Sequence, residues 1–486
     1  MPGKNVLFIM SDEHSRRVLG AYGNDQVRTP NLDAMAAAGT LFENAYCNCP
    51  ICVPSRASFA TGRHVHQIGN WDNAFPYQGT PPSFGHRLHE TGHRCDSIGK
   101  LHYRSVDDPN GFDNEILPLH VLNGEGDVQG MLRRPPPKRG SSALADDAGP
   151  GESHYLRYDR EIRDAGIAWL KDAGARKDDK PWCLFLSFVC PHLPLISPPE
   201  FYELYDRNAL PFPGLRDPSE FPDHPVMRAM REVMGADDHF RDEAHIRVAV
   251  AAYYGMVSFL DDNIGQVLKA LRGAGLDDDT LVVYTSDHGE NLGTRTLWGK
   301  CNMYEESAGV PLILRGPGVP AGRRGATPVS LVDAYPTIMD AVGEPALAEA
   351  PELAGTSLLR LLDGADADRS VLCEYHAVGS ITGIFMVRFG RYKYVHYDGH
   401  RPQLFDIEAD PQEVRDLAME PGHAAVLEEG ERRLRAICDP AEVSRRAFAD
   451  QERRIEELGG VEAVMGRGSY PYTPAPGEAP RISQGG

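Results

Sequence analysis

Short apolar runs that each end in a knot of polar residues constrain this chain most. Asn5–Met10 ends in Ser11-Asp12-Glu13-His14, and Cys95–Gly99 in Lys100-Leu101-His102. Trp182–Val189 leads to Pro191-His192-Leu193-Pro194, and Leu281–Ser286 to Asp287-His288-Gly289-Glu290. Runs of this length, bounded by turn residues, read as strands buried on both faces. Helical patterns lie between them. One opens at Thr29-Pro30-Asn31-Leu32-Asp33, runs through Ala38 and is closed by Gly39. Others run from Asp242 to Leu271, ended by Gly273, and from Val332 to Val342. A short helix begins near Arg56, and Val310–Leu314 is a further strand, stopped by Arg315-Gly316-Pro317-Gly318. Strands alternating with helices predict a layered α/β domain. Open α/β sheets gather their sites at strand carboxyl ends, so these polar knots predict one cleft.

The pattern changes after about Arg369. Val371–Tyr375, Ile384–Arg388, Tyr392–Tyr397 and Leu404–Asp406 predict a small antiparallel sheet, with a helix near His423–Cys438. We therefore divide the chain into a catalytic α/β domain (1–368), a small C-terminal α+β domain (369–440), and a helix with an arm or tail (441–486). Arg134–Gly151 and Pro211–Pro225, rich in turn residues, are expected as exposed loops. Tyr470, Tyr472 and the prolines around them suit an arm that packs on another subunit, hence a homo-oligomer, better than a solvating tail.

The net charge of −20 argues against nucleic acid and anionic lipid as partners. No apolar run is long enough to span a bilayer. The first residues lack a secretory cleavage pattern, and the nine cysteines form no repeated framework, which predicts a cytoplasmic protein. Cys47, Cys49 and Cys52 cluster, but no second Cys/His group at zinc spacing joins them.

Asp12 with Asp287-His288 at strand ends predicts a divalent metal site. Its hard oxygen ligands favour Ca²⁺, Mg²⁺ or Mn²⁺, and the histidine tilts the choice toward Mn²⁺. Cys52-Val53-Pro54-Ser55-Arg56, followed by Ala57-Ser58-Phe59-Ala60-Thr61-Gly62, is a C-x-P-S-R pentapeptide at the head of a helix. Gly99-Lys100-Leu101-His102, the P-H-x-P element around His192, and Leu297-Trp298-Gly299-Lys300 complete the set. Lysines suit an anion, and a neutral imidazole suits proton transfer.

Together these elements resemble the type I sulfatases of the alkaline phosphatase superfamily, over Val6 to about Tyr397, and more narrowly the choline-sulfatase and arylsulfatase members. The resemblance implies a large α/β/α domain with a mixed, mostly parallel sheet. It implies that Cys52 is converted to formylglycine by a formylglycine-generating enzyme, and that the metal is Ca²⁺ held by Asp12, Glu13, Asp287, His288 and residue 52. Glu13 departs from the commonest Asp-Asp pair. It further implies that Arg56 buttresses the formylglycine, that Lys100 and Lys300 bind sulfate, that His102 serves as base, and that His192, with Lys300, protonates the leaving alcohol.

The expected function is hydrolysis of a small sulfate monoester. The alternative is a phosphonate monoester or phosphodiester hydrolase, whose members resemble each other in carrying neutral hydroxyl residues at the positions of Lys100 and His102. Trp71-Asp72-Asn73, His14, Arg295 and Trp298 lie near the motifs and are candidate pocket residues. An aromatic-plus-acid pocket there would hold a cation such as choline.

Overall fold

The computed structural model describes residues 3–139, 142–176, 179–364 and 368–482. Its centre is an eight-stranded sheet. In chain order the strands are β1 (Asn5–Asp12), β2 (Thr40–Phe42), β3 (Cys95–Lys100), β4 (Asn114–Leu119), β5 (Cys183–Pro191), β6 (Thr280–Ser286), β7 (Leu312–Arg315) and β8 (Arg323–Gly325). Side by side they read β8-β2-β7-β6-β1-β5-β3-β4. β7 runs against β6 and β2, and the other neighbours are parallel. This is the mixed, mostly parallel sheet that the resemblance implied.

β1 lies inside the sheet, and its residues alternate between two cores. Val6, Phe8 and Met10 pack with Phe59, Phe185 and Ile338 on one face. Leu7 and Ile9 pack with Tyr155, Leu186 and Leu260 on the other. A strand covered on both sides must be apolar at every position, which is why these runs are continuous in the sequence. The first face carries α2 (Cys52–Thr61) and α5 (Ala334–Val342); the second carries α1 (Pro30–Ala37), α3 (His154–Ala175) and α4 (Glu243–Gly273). Side-chain caps start the two long helices: Ser153 accepts from the Leu156 amide and Asp242 from the His245 amide.

Strand register gathers the polar knots. Ser11 pairs with Ser286, Asp12 with Pro191, and Gly99 with Ser187. Asp12, Asp287, His192 and Lys100 therefore leave the sheet along one edge, as parallel strands require.

The small sheet is an antiparallel meander of β9 (Ser370–Tyr375), β10 (Ile384–Phe389), β11 (Tyr392–Tyr397) and β12 (Gln403–Asp406). α6 (Ala424–Ile437) packs on it, and α7 (Pro440–Glu457) follows. Leu372, Phe385 and Val387 belong to the same hydrophobic cluster as Phe8 and Phe59, so this sheet extends the core beneath α2.

Two expectations are corrected. The loop at Arg134–Gly151, of which residues 140–141 lie outside the described residues, is not simply exposed. Arg139 turns inward to pair with Asp127, and Leu144 and Ala145 are buried. The C-terminal arm packs on its own chain, because α3 offers an aromatic seat. Tyr472 is buried with its ring centroid 5.4 Å from both Tyr155 and His154. Residues 483–486 of the arm lie outside the described residues. All nine cysteines are free and buried, and among the described residues no helix is long and apolar enough to cross a membrane.

Candidate active site

Cys52 is the first residue of α2, at the positive end of the helix dipole. Ile51 before it is extended, Gly62 at φ +64° ends the helix, and all ten helical residues are buried. The Ser55 hydroxyl donates to the Asp287 carbonyl at 2.6 Å and fastens the helix to the end of β6. The Cys52 Sγ lies 3.1 Å from His288 Nε2 and 3.7 Å from Asp12 Oδ1.

One turn along α2, Arg56 organises the carboxylates. It donates to Asp287 Oδ2 at 2.7 Å, to Asp12 Oδ2 at 3.2 Å, and to the Lys100 carbonyl and Ser187 hydroxyl. Lys100 Nζ is 2.5 Å from the same Asp12 Oδ2. The outer oxygens are thus occupied, while both Oδ1 atoms face His288 Nε2 at 3.6 Å. His288 Nδ1 lies 3.1 Å from the Gly289 carbonyl, which can only accept, so its proton sits on Nδ1 and the Nε2 lone pair points into the group. Asp12, Cys52, Asp287 and His288 each present an atom within 4.8 Å of the others. Two carboxylate oxygens and a correctly protonated imidazole form a donor set that fits one divalent ion. Burial alone would push the Asp12 carboxyl up, but Lys100, His192 and Arg56 outweigh it and hold it well below the usual range.

Glu13 stands outside that group of four. It reaches Asp12 and His192 in a second group, and its carboxylate pairs with Lys300 at 2.9 Å. Lys300 Nζ also donates to His192 Nε2 at 2.7 Å. His192 Nδ1 donates to the Leu193 carbonyl at 2.8 Å, which fixes Nε2 as the acceptor. Burial pushes Glu13 up to about 8, with the neighbouring Glu290 adding to it and Lys300 opposing it. A Glu13 that keeps its proton near neutrality leaves the Lys300 charge uncancelled. Burial and the Lys300 charge together hold His192 well below its ordinary value, so it is neutral. Glu13 (φ +67°), His102 (φ +60°) and Cys301 (φ +82°) adopt left-handed backbone beside the site, a conformation that costs non-glycine residues about 1–3 kcal/mol each.

A cavity of about 180 Å³ opens above Cys52. Lys100, His102, His192, Lys300, Asn73 and Trp298 line it. Ser469 through Thr473 of the arm, and Asp127 with Arg139, also line it. The remaining candidate pocket residues lie elsewhere. Trp71 is buried beneath α7, donating to Asp450 at 2.8 Å, and Asp72 accepts from Gln451. His14 is held between Tyr284 and the Val18 carbonyl. Arg295 pairs with Glu306. Sequence reasoning missed the Asp127–Arg139 pair; it expected the arm from Tyr470, Tyr472 and the prolines around them, but on another subunit and not as a wall of this cavity.

A family model described as "Sulfatase" matches residues 4–344. The chain belongs to the sulfatase family. A second model, described as "N-sulphoglucosamine sulphohydrolase, C-terminal", matches residues 293–439. Among curated sulfatases, the choline-sulfatase of Rhizobium meliloti (strain 1021) is 32% identical over 86% of this chain and 83% of its own length. Arylsulfatase K of Danio rerio is 31% identical, covering 91% of this chain and 85% of that protein. Among solved structures, the phosphonate monoester hydrolase of Silicibacter pomeroyi superposes with a TM-score of 0.71 over 99% of both chains, at 23% identity. That likeness concerns the fold alone. The 2-O GAG sulfatase BT1596 gives a TM-score of 0.70 at 25% identity, over 93% of this chain and 94% of that one. As a sulfatase, the chain is a hydrolase of sulfate esters.

Proposed function

We propose that this sulfatase cleaves a small sulfate monoester of an uncharged alcohol. In this reading Cys52 works as formylglycine, made by a formylglycine-generating enzyme. One divalent ion, Ca²⁺, is held by Asp12, Asp287, His288 and residue 52. The observation that carries the reading is the placement of Cys52, ringed by Asp12, Asp287 and the free Nε2 of His288, with both sulfate-binding lysines lining the same cavity.

Burial, with Asp12 beside it, pushes the unmodified thiol up to about 12, so at neutral pH it holds its proton and is a poor nucleophile. The hydrated aldehyde offers a hydroxyl to attack sulfur and a second hydroxyl whose deprotonation releases sulfate. A bound divalent ion supplies Lewis acidity toward the reacting oxygens. The residues of the chain do the rest. Arg56 holds the two carboxylates in position. Lys100 and Lys300 face the sulfuryl oxygens, where charge is redistributed in the transition state. Lys300, hydrogen-bonded to the lone pair of His192, is the proton source for the departing alcohol. His102 takes a proton in the release step.

Of the two acidic side chains lining the cavity, Glu13 keeps its proton near neutrality and Asp127 is paired with Arg139. Neither is free to meet a quaternary ammonium, and this favours an uncharged alcohol over choline.

The test compares kcat/KM on an aryl sulfate, an aryl phosphonate monoester and choline sulfate. The preparation is first checked by mass for the aldehyde in the tryptic peptide Thr29–Arg56. The aryl sulfate is expected to lead by at least about tenfold, a difference of about 1.4 kcal/mol in the barrier. A phosphonate preference would replace the reading with phosphonate monoester hydrolysis. A choline sulfate preference would sink the uncharged-alcohol assignment alone.

Metal binding has a readout independent of turnover. Chelation is expected to lower Tm by several degrees, and added Ca²⁺ to restore it. At an ion concentration about 100-fold above Kd the linkage is worth about 2.7 kcal/mol. An unchanged Tm after exhaustive chelation would count against the metal site.

A further inference from the structure

The arm reaches the candidate catalytic residues through a hydrogen bond. Thr473 Oγ1 lies 2.9 Å from His102 Nε2. Thr473 is itself held, because its carbonyl accepts from the Tyr155 hydroxyl and its neighbour Tyr472 is buried on Tyr155 and His154. The His102 backbone is fixed too: its amide donates to the Leu119 carbonyl at 2.8 Å, in the left-handed region. Side chain and arm therefore meet as two rigid parts.

His102 is 5% exposed, and its Nδ1 is buried with no hydrogen-bond partner. The Thr473 hydroxyl can donate or accept, and the two choices differ at Nδ1. If the hydroxyl donated to Nε2, Nδ1 would carry a buried proton with no acceptor. If Nε2–H donates to the hydroxyl, Nδ1 keeps a lone pair, in a residue that shares its cavity with Cys52, Lys100 and Lys300. A buried donor left without an acceptor is the costlier arrangement, and a cationic cavity favours a lone pair over an N–H. Burial and the Lys100 charge also hold His102 well below its ordinary value, so the ring is neutral and has a definite tautomer.

We propose that Thr473 is a positioning residue: its hydroxyl accepts from Nε2–H of His102, leaves the Nδ1 lone pair as the proton acceptor, and so lets the C-terminal arm complete the active site within a single chain. This rests on His102 acting as the base in sulfate release. In that step a hydroxyl proton of the sulfated aldehyde hydrate passes to Nδ1, the C=O of the aldehyde forms, and the C–O bond to sulfate breaks with its electron pair leaving on sulfate. No oxidant or reductant is involved.

The experiment compares wild type, Thr473→Val and Thr473→Ser in enzyme of measured aldehyde content. Val has the shape of Thr without the hydroxyl, and Ser restores the hydroxyl. With an aryl sulfate, Thr473→Val is expected to lower kcat about 10- to 100-fold with KM within about twofold, as when an orienting partner is lost. Thr473→Ser is expected to stay within about threefold of wild type. Independently, ¹⁵N-histidine NMR should find His102 as the Nε2–H tautomer in wild type and Thr473→Ser, and as a mixture in Thr473→Val. The proposal is overturned if Thr473→Val keeps wild-type kcat, if Thr473→Ser falls as far as Thr473→Val, or if wild-type His102 carries its proton on Nδ1. A wild type that carries the aldehyde and the Nε2–H tautomer yet cleaves no sulfate ester would support the positioning and sink the sulfatase substrate reading instead.

Discussion

Replacing Cys52 with alanine is expected to lower kcat on any sulfate ester by about 10⁴-fold or more, with Tm moving by only a few degrees. The loss is large because the other thiol lining the cavity, Cys301, is pushed up to about 12 by burial and keeps its proton. Asp12 and Asp287 are tied by Arg56 and face His288, and in the proposed reading the lysines and histidines around them act as charges and proton carriers. The stability cost is small because the side chain removed is short and lies at the end of α2, where a cavity already exists. The measurement is kcat with thermal melting on the same preparation, beside wild type of known aldehyde content. Turnover equal to wild type in the alanine variant would refute covalent catalysis at position 52.

Replacing Lys300 with methionine is expected to lower kcat by about 10²- to 10⁴-fold on an alkyl sulfate and by much less on a nitrophenyl sulfate. The asymmetry follows from the hydrogen bonds. His192 donates through Nδ1 to the Leu193 carbonyl and accepts at Nε2 from Lys300, so in this arrangement the proton facing the leaving group belongs to the lysine. An alkoxide needs that proton, and a nitrophenolate leaves without it. The variant should fold. Glu13 is pushed up to about 8 even with the lysine beside it; without the lysine it rises further and stays neutral, so no buried charge is stranded. Equal losses on both esters would mean that Lys300 binds sulfate and does not supply the proton.

The convergence of the strand ends was legible in the sequence for a geometric reason. Neighbouring parallel strands point the same way, so residues just past their ends converge whatever the chain does between them. Asp12, Lys100, His192 and Asp287 all follow buried apolar runs, and all meet. Cys52 and Arg56 were legible because one helical turn separates them, which sets both on the same side of α2. Nearness in sequence misled elsewhere. Trp71 lies only 19 positions after Cys52, yet its indole has a buried acceptor in Asp450, and it packs under α7. Arg295 precedes Lys300 by one short turn, but Glu306 holds it out of the cavity. Glu13 follows Asp12 directly, and its left-handed backbone carries it to Lys300, away from the group of four. The arm was expected from its tyrosines and prolines, but its seat on its own chain was illegible, because hydrogen bonds, ion pairs and an aromatic contact leave no periodicity to read.

Thr473 meets His102 across 371 positions of sequence, so the cavity takes shape only where distant parts of the chain come together. The arm is held there by its seat on Tyr155 and His154 and not by a strand of the sheet. Local opening of that seat would remove the hydroxyl on His102 and one wall of the cavity together, while the group around Cys52 stayed in place. Amide exchange in residues 469–473 that is faster than in the central sheet would report this opening.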